Sequence, residues 1–142
     1  MRLNMQRNIR VTERDMKKLT SLLEAWRPAR EVDREHARAL EEEMENARII
    51  RAGESPAGVV TMNSCVTVTD LDSGREHTYT IVFPRNADFN ERRISVLAPI
   101  GTALLGYAVG DEIAWNVPGG VRRFRIDAVR HDAFEAVAVR AA

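Results

Sequence analysis

Residues 53–58 read GESPAG, and the hydrophobic period of the chain changes across them. Before this segment apolar residues recur every three or four positions; after it they alternate. A helical period followed by a strand period places helices first and a sheet second, which is an α+β arrangement. Two glycines and one proline make the segment itself a helix stop and a linker. The expected organisation is a helical arm over 1–52, a linker over 53–58 and a sheet domain over 59–142.

The arm reads as two helices. Thr12 is placed to cap the first, with Asp15 three residues on as a short capping box. Met16, Leu19, Leu23 and Trp26 form its seam at 3-4-3 spacing. The second helix is expected over 33–51, capped by Asp33 and closed by Gly53. Ala37, Leu40, Met44 and Ala47 repeat the same spacing. Two such seams joined by RPAREV predict an antiparallel helical hairpin, a short coiled coil. Two heptads are marginal alone, so the base of the arm must lean on the second region.

That region opens with VVTMNSCVTVTD, where Val60, Met62, Val66 and Val68 share one face of a strand. EHTYTIVF alternates with His77, Tyr79, Ile81 and Phe83 on one side, and ISVLA is a third strand. Pro99 starts a short helix that Gly106 ends. After a Gly110-Asp111 turn, EIAWNV points Ile113, Trp115 and Val117 one way. PGG leads into VRRFRIDAVRH, with Phe124, Ile126 and Ala128 inward and Arg123, Arg125 and Asp127 outward. FEAVAV is a last strand. The expectation is four or five antiparallel strands with one helix on a face.

Catalytic chemistry finds little support. Cys65 is a lone thiol on a polar strand face; His77 is a conceivable cross-strand base, but structural use fits better. The single cysteine allows no internal disulfide and fits a reducing cytoplasm. His36, His77 and His131 lie in different elements with no metal-ligand spacing. The acidic run EEEMEN spreads its carboxylates around a helix. The glycines match neither a phosphate loop nor a dinucleotide fingerprint. Lys and Arg number 21 and Asp and Glu 21, so the net charge is +0 and non-specific nucleic-acid binding is disfavoured. DNA contact is therefore at most indirect. Arg122, Arg123, Arg125 and Arg130 gather on one hairpin and its following strand, either as a solvated face or as a grip for an acidic protein surface or a phosphate backbone. MRLNMQRNIRVTERD lacks an apolar signal core, and no apolar run approaches the ~20 residues of a membrane span.

Three stretches together resemble one family. NIRVTERDMKKLTSLL heads the hairpin, VVTMNSCVTVTDLDSG opens the second region, and ISVLAPIGTALLGYAVGDEIAWNVPGG continues it. They are similar to the regulators of nucleoside diphosphate kinase and to the C-terminal domain these share with the Gre transcript-cleavage factors. The resemblance implies an FKBP-like C-terminal domain carrying the hairpin. It implies a transcription regulator that is not an enzyme, docks on the rim of the secondary channel of bacterial RNA polymerase and lets the hairpin enter. The strand-to-helix corner that would dock is Leu97, Ala98, Pro99 and Ile100, more apolar here than in Gre factors.

Gre factors also carry tip carboxylates that help hold a catalytic magnesium ion. The tip here holds Arg27 and Arg30, which would repel the metal, on a shorter hairpin; Glu31 and Asp33 beside them could in principle bind one, but the expectation is occupation of the channel without cleavage, in competition with Gre-type factors. No cofactor or resident metal is implied. A monomer is expected, since no apolar stripe is left over after both seams pair. Two other readings are direct regulation of nucleoside diphosphate kinase by protein contact and, because of the FKBP-like fold, prolyl isomerisation. The second needs an aromatic-lined pocket, and aromatic residues make up only 6% of the chain.

Overall fold

The computed structural model describes residues 8–26, 28, 30–117 and 119–131, the side chains of 115–117 excepted. Strand β1 (Arg10–Thr12) runs directly into helix α1 (Glu13–Ala25), and helix α2 (Glu31–Glu45) returns to strand β2 (Arg48–Ile50). β1 and β2 pair in parallel, Val11 opposite Ile49. The two helices are therefore an excursion that starts and ends on one small ribbon. The Thr12 cap is present: its Oγ1 accepts from Asp15 N at 3.1 Å.

The second helix differs from expectation at both ends. It starts at Glu31, because Glu31 ion-pairs with Arg34 and Arg38 and so secures the first turn before Asp33. Asp33 is inside the helix rather than its cap. It stops at Glu45, where Asn46 Nδ2 donates to Glu42 O at 3.2 Å. Residues 48–50, read as helix, form β2 instead: Ile49 and Ile50 are β-branched and find a partner strand. Gly53 (φ +94°) turns the chain after β2, not after a helix.

The main sheet contains β3 (Cys65–Asp70), β4 (Glu76–Val82) and β5 (Arg93–Ser95). Helix α3 (Pro99–Leu104) follows, then β6 (Glu112–Val117) and β7 (Gly120–Arg130). Strand order is β5-β4-β3-β7-β6. The sheet is mixed rather than antiparallel throughout, because β5 lies parallel to β4. The chain reaches β5 through two 3-10 turns rather than a hairpin, so β5 enters from the other end. Residues 59–64, expected as strand, are a folded loop in which Asn63 adopts φ 66° and Ser64 Oγ lies 2.6 Å from Thr61 Oγ1, both residues buried. A register shift between Thr67 and Val68 moves Ala128 outward and half-buries Val129 in its place. Residues 132–142, and with them the FEAVAV strand, lie outside the described residues, as do the side chains of Trp115 and Val117.

One core joins both parts. Ile9 and Val11, Leu19 of α1 and Leu40 of α2 belong to the same buried cluster as Val66, Ile81, Leu104 and Phe124. Met16, Leu22, Leu23, Trp26 and Met44 pack against it, partly buried. Polar bonds repeat the attachment: Arg10 N donates to Gly106 O, and Met62 N donates to the Asp15 carboxylate at 2.9 Å. Gly106 sits at φ +86°, and a Cβ there would overlap Ile9 Cβ. No helix among the described residues is long and apolar enough to cross a membrane.

Candidate functional site

The corner between β5 and α3, beside the edge strand β5, is fixed by several bonds and one close contact. Ser95 organises it: its Oγ accepts from Leu97 N at 3.0 Å and its carbonyl from Ala98 N at 2.9 Å. Thr102 Oγ1 donates back to Val96 O at 2.6 Å. Pro99 at the first helical turn has no N–H to lose and the right φ. Gly101 allows the close approach, since a Cβ there would overlap Ser95 O.

The four corner residues divide by burial. Leu97 is only 6% exposed and belongs to the core. Ala98 and Ile100 are half-buried and Pro99 is exposed. The outward surface is thus a small apolar step made by Ala98, Pro99 and Ile100, with Leu97 anchoring it from beneath.

At the hairpin tip, Arg27 lies outside the described residues. Arg30 is exposed, with its Nε 3.8 Å from the Asp33 carboxylate. Glu31 accepts from Arg34 at 2.7 Å and from Arg38 at 2.9 Å. The bonds from Arg38 and then Arg34 hold its carboxyl below the usual range. A carboxylate engaged by two guanidinium groups is poorly placed to take a metal. Among the described residues no group of three His, Cys, Asp or Glu is arranged to hold one.

The remaining candidates are accounted for locally. Cys65 pairs across the strands with Thr80 and Arg130, not with His77, which sits opposite Val68 and stacks on Tyr79 at 6.0 Å. His131 Nε2 lies 2.8 Å from Val59 O. The arginine group on β7 is largely paired: Arg122 with Asp70, Arg123 with Asp72 at 3.6 Å and Arg125 with Asp127 at 2.7 Å. Sequence reasoning missed the β1–β2 ribbon and the cleft beside it. The β-branched residues Ile9, Val11, Ile49 and Ile50 were the available signal.

This architecture has known counterparts. The family model "Transcription elongation factor, GreA/GreB, C-term" matches residues 55–131. The chain belongs to that family. A second model, "Rnk N-terminus", matches residues 7–50, the ribbon and the hairpin. The regulator of nucleoside diphosphate kinase of Escherichia coli (strain K12) is 44% identical over 85 residues, covering 60% of this chain and 62% of that protein. Transcription elongation factor GreA of Thermotoga neapolitana is 40% identical over 87 residues, covering 61% of this chain and 55% of that protein. The matched stretch thus spans less than two thirds of either relative. A solved structure of a prokaryotic transcription elongation factor GreA/GreB from Nitrosomonas europaea superposes with TM-score 0.72 at 38% identity. It covers 89% of this chain and 100% of that one. The shared plan is two N-terminal helices followed by a multi-stranded sheet. These relatives are regulators or transcription factors rather than enzymes.

Proposed function

We propose that this protein is a transcription regulator that binds bacterial RNA polymerase at the rim of its secondary channel and competes there with Gre-type factors without stimulating transcript cleavage. The observation that carries this reading is the β5–α3 corner. It is a pre-organised apolar step on a sheet edge, in a chain of the GreA/GreB C-terminal family. Ala98, Pro99 and Ile100 would make the contact, and Leu97 would hold them in place. Pre-organised apolar groups bind with little ordering cost.

The tip chemistry supports the absence of cleavage. Glu31 is held by Arg34 and Arg38, and Arg30 adds a further cation at the entrance to α2. Holding a catalytic magnesium needs free carboxylate oxygens, which this tip does not offer at Glu31. In this reading 1–52 is the arm that enters the channel, 53–58 the linker, and 59–142 an FKBP-like docking domain. The protein would act as a monomer in the cytoplasm, and an effect on nucleoside diphosphate kinase would come through transcription. The test is a cleavage assay on backtracked polymerase. This protein alone should leave cleavage at the level of polymerase, and it should suppress the cleavage a Gre factor stimulates. Cleavage rising above the polymerase level would sink the proposal.

A further inference from the structure

At the base of the arm, the β1–β2 ribbon carries cations that no ion pair among the described residues compensates. Arg10 and Arg48 stand directly opposite each other across the ribbon. Like charges in such a pair repel, so the arrangement is unfavourable by itself. Two residues further along the same face, Thr12 and Ile50 form part of a cleft of about 380 Å³. Arg14, Lys17 and Arg51 also line it, all three exposed. None of these five cations makes an ion pair with another described residue. By contrast, Arg34, Arg38, Arg122 and Arg125 all do.

The cleft holds two carboxylates, and both are occupied by backbone. Glu13 Oε1 accepts from Ala52 N at 3.0 Å, and Glu54 Oε1 accepts from Arg51 N at 2.8 Å. These bonds tie α1 to the segment after β2 and make the cleft walls. Each carboxylate keeps its charge and a second oxygen, so the cleft lining carries three cations, Arg14, Lys17 and Arg51, against two anions. With Arg10 and Arg48 on the adjoining ribbon, cations outnumber carboxylates five to two here, a local asymmetry in a chain of zero net charge that an anion would relieve.

We propose that this cleft binds a small molecule bearing a di- or triphosphate group. Arg14, Lys17 and Arg51 would take the phosphate oxygens, and Arg10 and Arg48 would supply the field that draws the anion in. The cleft includes Thr12 and Ile50 in its lining, and its volume falls in the range of small-ligand pockets, roughly 300–1,000 Å³. A recess favours a compact ligand over a polymer laid across the ribbon.

The probe is inorganic pyrophosphate, titrated calorimetrically into the full chain at constant ionic strength, with sulfate as the control anion. Saturable binding is expected, weakened about tenfold by Arg14→Gln or Arg51→Gln, the loss of one charge-assisted contact. Arg85→Gln, an exposed cation in the turn before β5, should change nothing. All three positions are at the surface, and circular dichroism confirms that each variant is folded. Three results would overturn the proposal. They are no saturable heat with pyrophosphate, equal loss in Arg85→Gln, or displacement of pyrophosphate by a single-stranded RNA with affinity that grows with its length. The last would make the face a nucleic-acid surface instead.

Discussion

Asp15 is one of the polar links between the helical arm and the sheet domain, and its removal tests how firmly the two are joined. Its Oδ2 accepts from Met62 N at 2.9 Å, and the residue is only 7% exposed. In Asp15→Ala the Met62 N–H, also buried, loses its acceptor. A buried donor left without a partner costs about 2 kcal/mol. For a chain of this size that lowers Tm by about 4–8 °C. Asp15→Asn keeps an acceptor oxygen and should stay within about 1 kcal/mol of the parent at pH 7.

The pH dependence adds a sign that a packing defect would not give. Burial, the largest influence, raises the Asp15 carboxyl above its ordinary 3.8, against the bond from Met62 and the hydroxyl of Thr12. The native state therefore binds a proton at a pH where the unfolded chain has released it. The stability this contributes is fully present below the unfolded value and is lost as pH rises through the folded one. The amide introduced by Asp15→Asn cannot titrate. The parent should thus gain on Asp15→Asn as pH falls through that window, read by urea unfolding of both proteins across the acid range. An Asp15→Ala variant within about 0.5 kcal/mol of the parent would refute the burial argument. So would a parent that loses ground to Asp15→Asn on acidification.

Two further substitutions probe the sheet. Gly101→Ala forces a Cβ against Ser95 O, well inside van der Waals contact, and should cost about 3 kcal/mol in urea unfolding while displacing the Pro99 corner. Arg122→Ala leaves the fully buried Asp70 carboxylate with only the N–H groups of Asp72 and Ser73. Because Arg122 is itself half-exposed, the expected loss is about 2 kcal/mol, below that of a fully buried pair, again by urea unfolding.

The sequence was legible where a local rule and the tertiary demand agreed. Thr12 capped as its hydroxyl and position required, and Leu19 and Leu40 at the seams went to the core. Pro99 and Gly106 bracketed α3 because each has one conformational role there. Misreadings came where long-range pairing overrode local pattern. Residues 48–50 continued a helical spacing, yet their place is decided by residues 10–12, and a three-residue strand has too short a period to detect. Ala128 followed the alternation of β7, but the bulge opposite Val68 reversed the phase. Asp15 kept its place in the Thr12 cap, but its further use by Met62, 47 positions away, has no local signature.

The candidate site was legible in the same uneven way. SVLAPIG marked the corner, but only the fold separates buried Leu97 from exposed Pro99. The pairs of Glu31 with Arg34 and Arg38 went unread, because they fall at helical spacing only if α2 begins at Glu31 rather than Asp33. The cations from Arg10 to Arg51 are far apart in sequence and converge only because β1 and β2 pair.

The most direct test of polymerase docking is equilibrium binding of the protein to core RNA polymerase, with a Gre factor as competitor and Pro99→Asp alongside. Pro99 is exposed, so the variant should fold, which its unfolding curve verifies. The expected result is binding that the Gre factor displaces and that Pro99→Asp weakens about tenfold or more by burying an unpaired charge in an apolar contact. Binding that a Gre factor does not displace, or that Pro99→Asp leaves intact, would contradict docking at this corner.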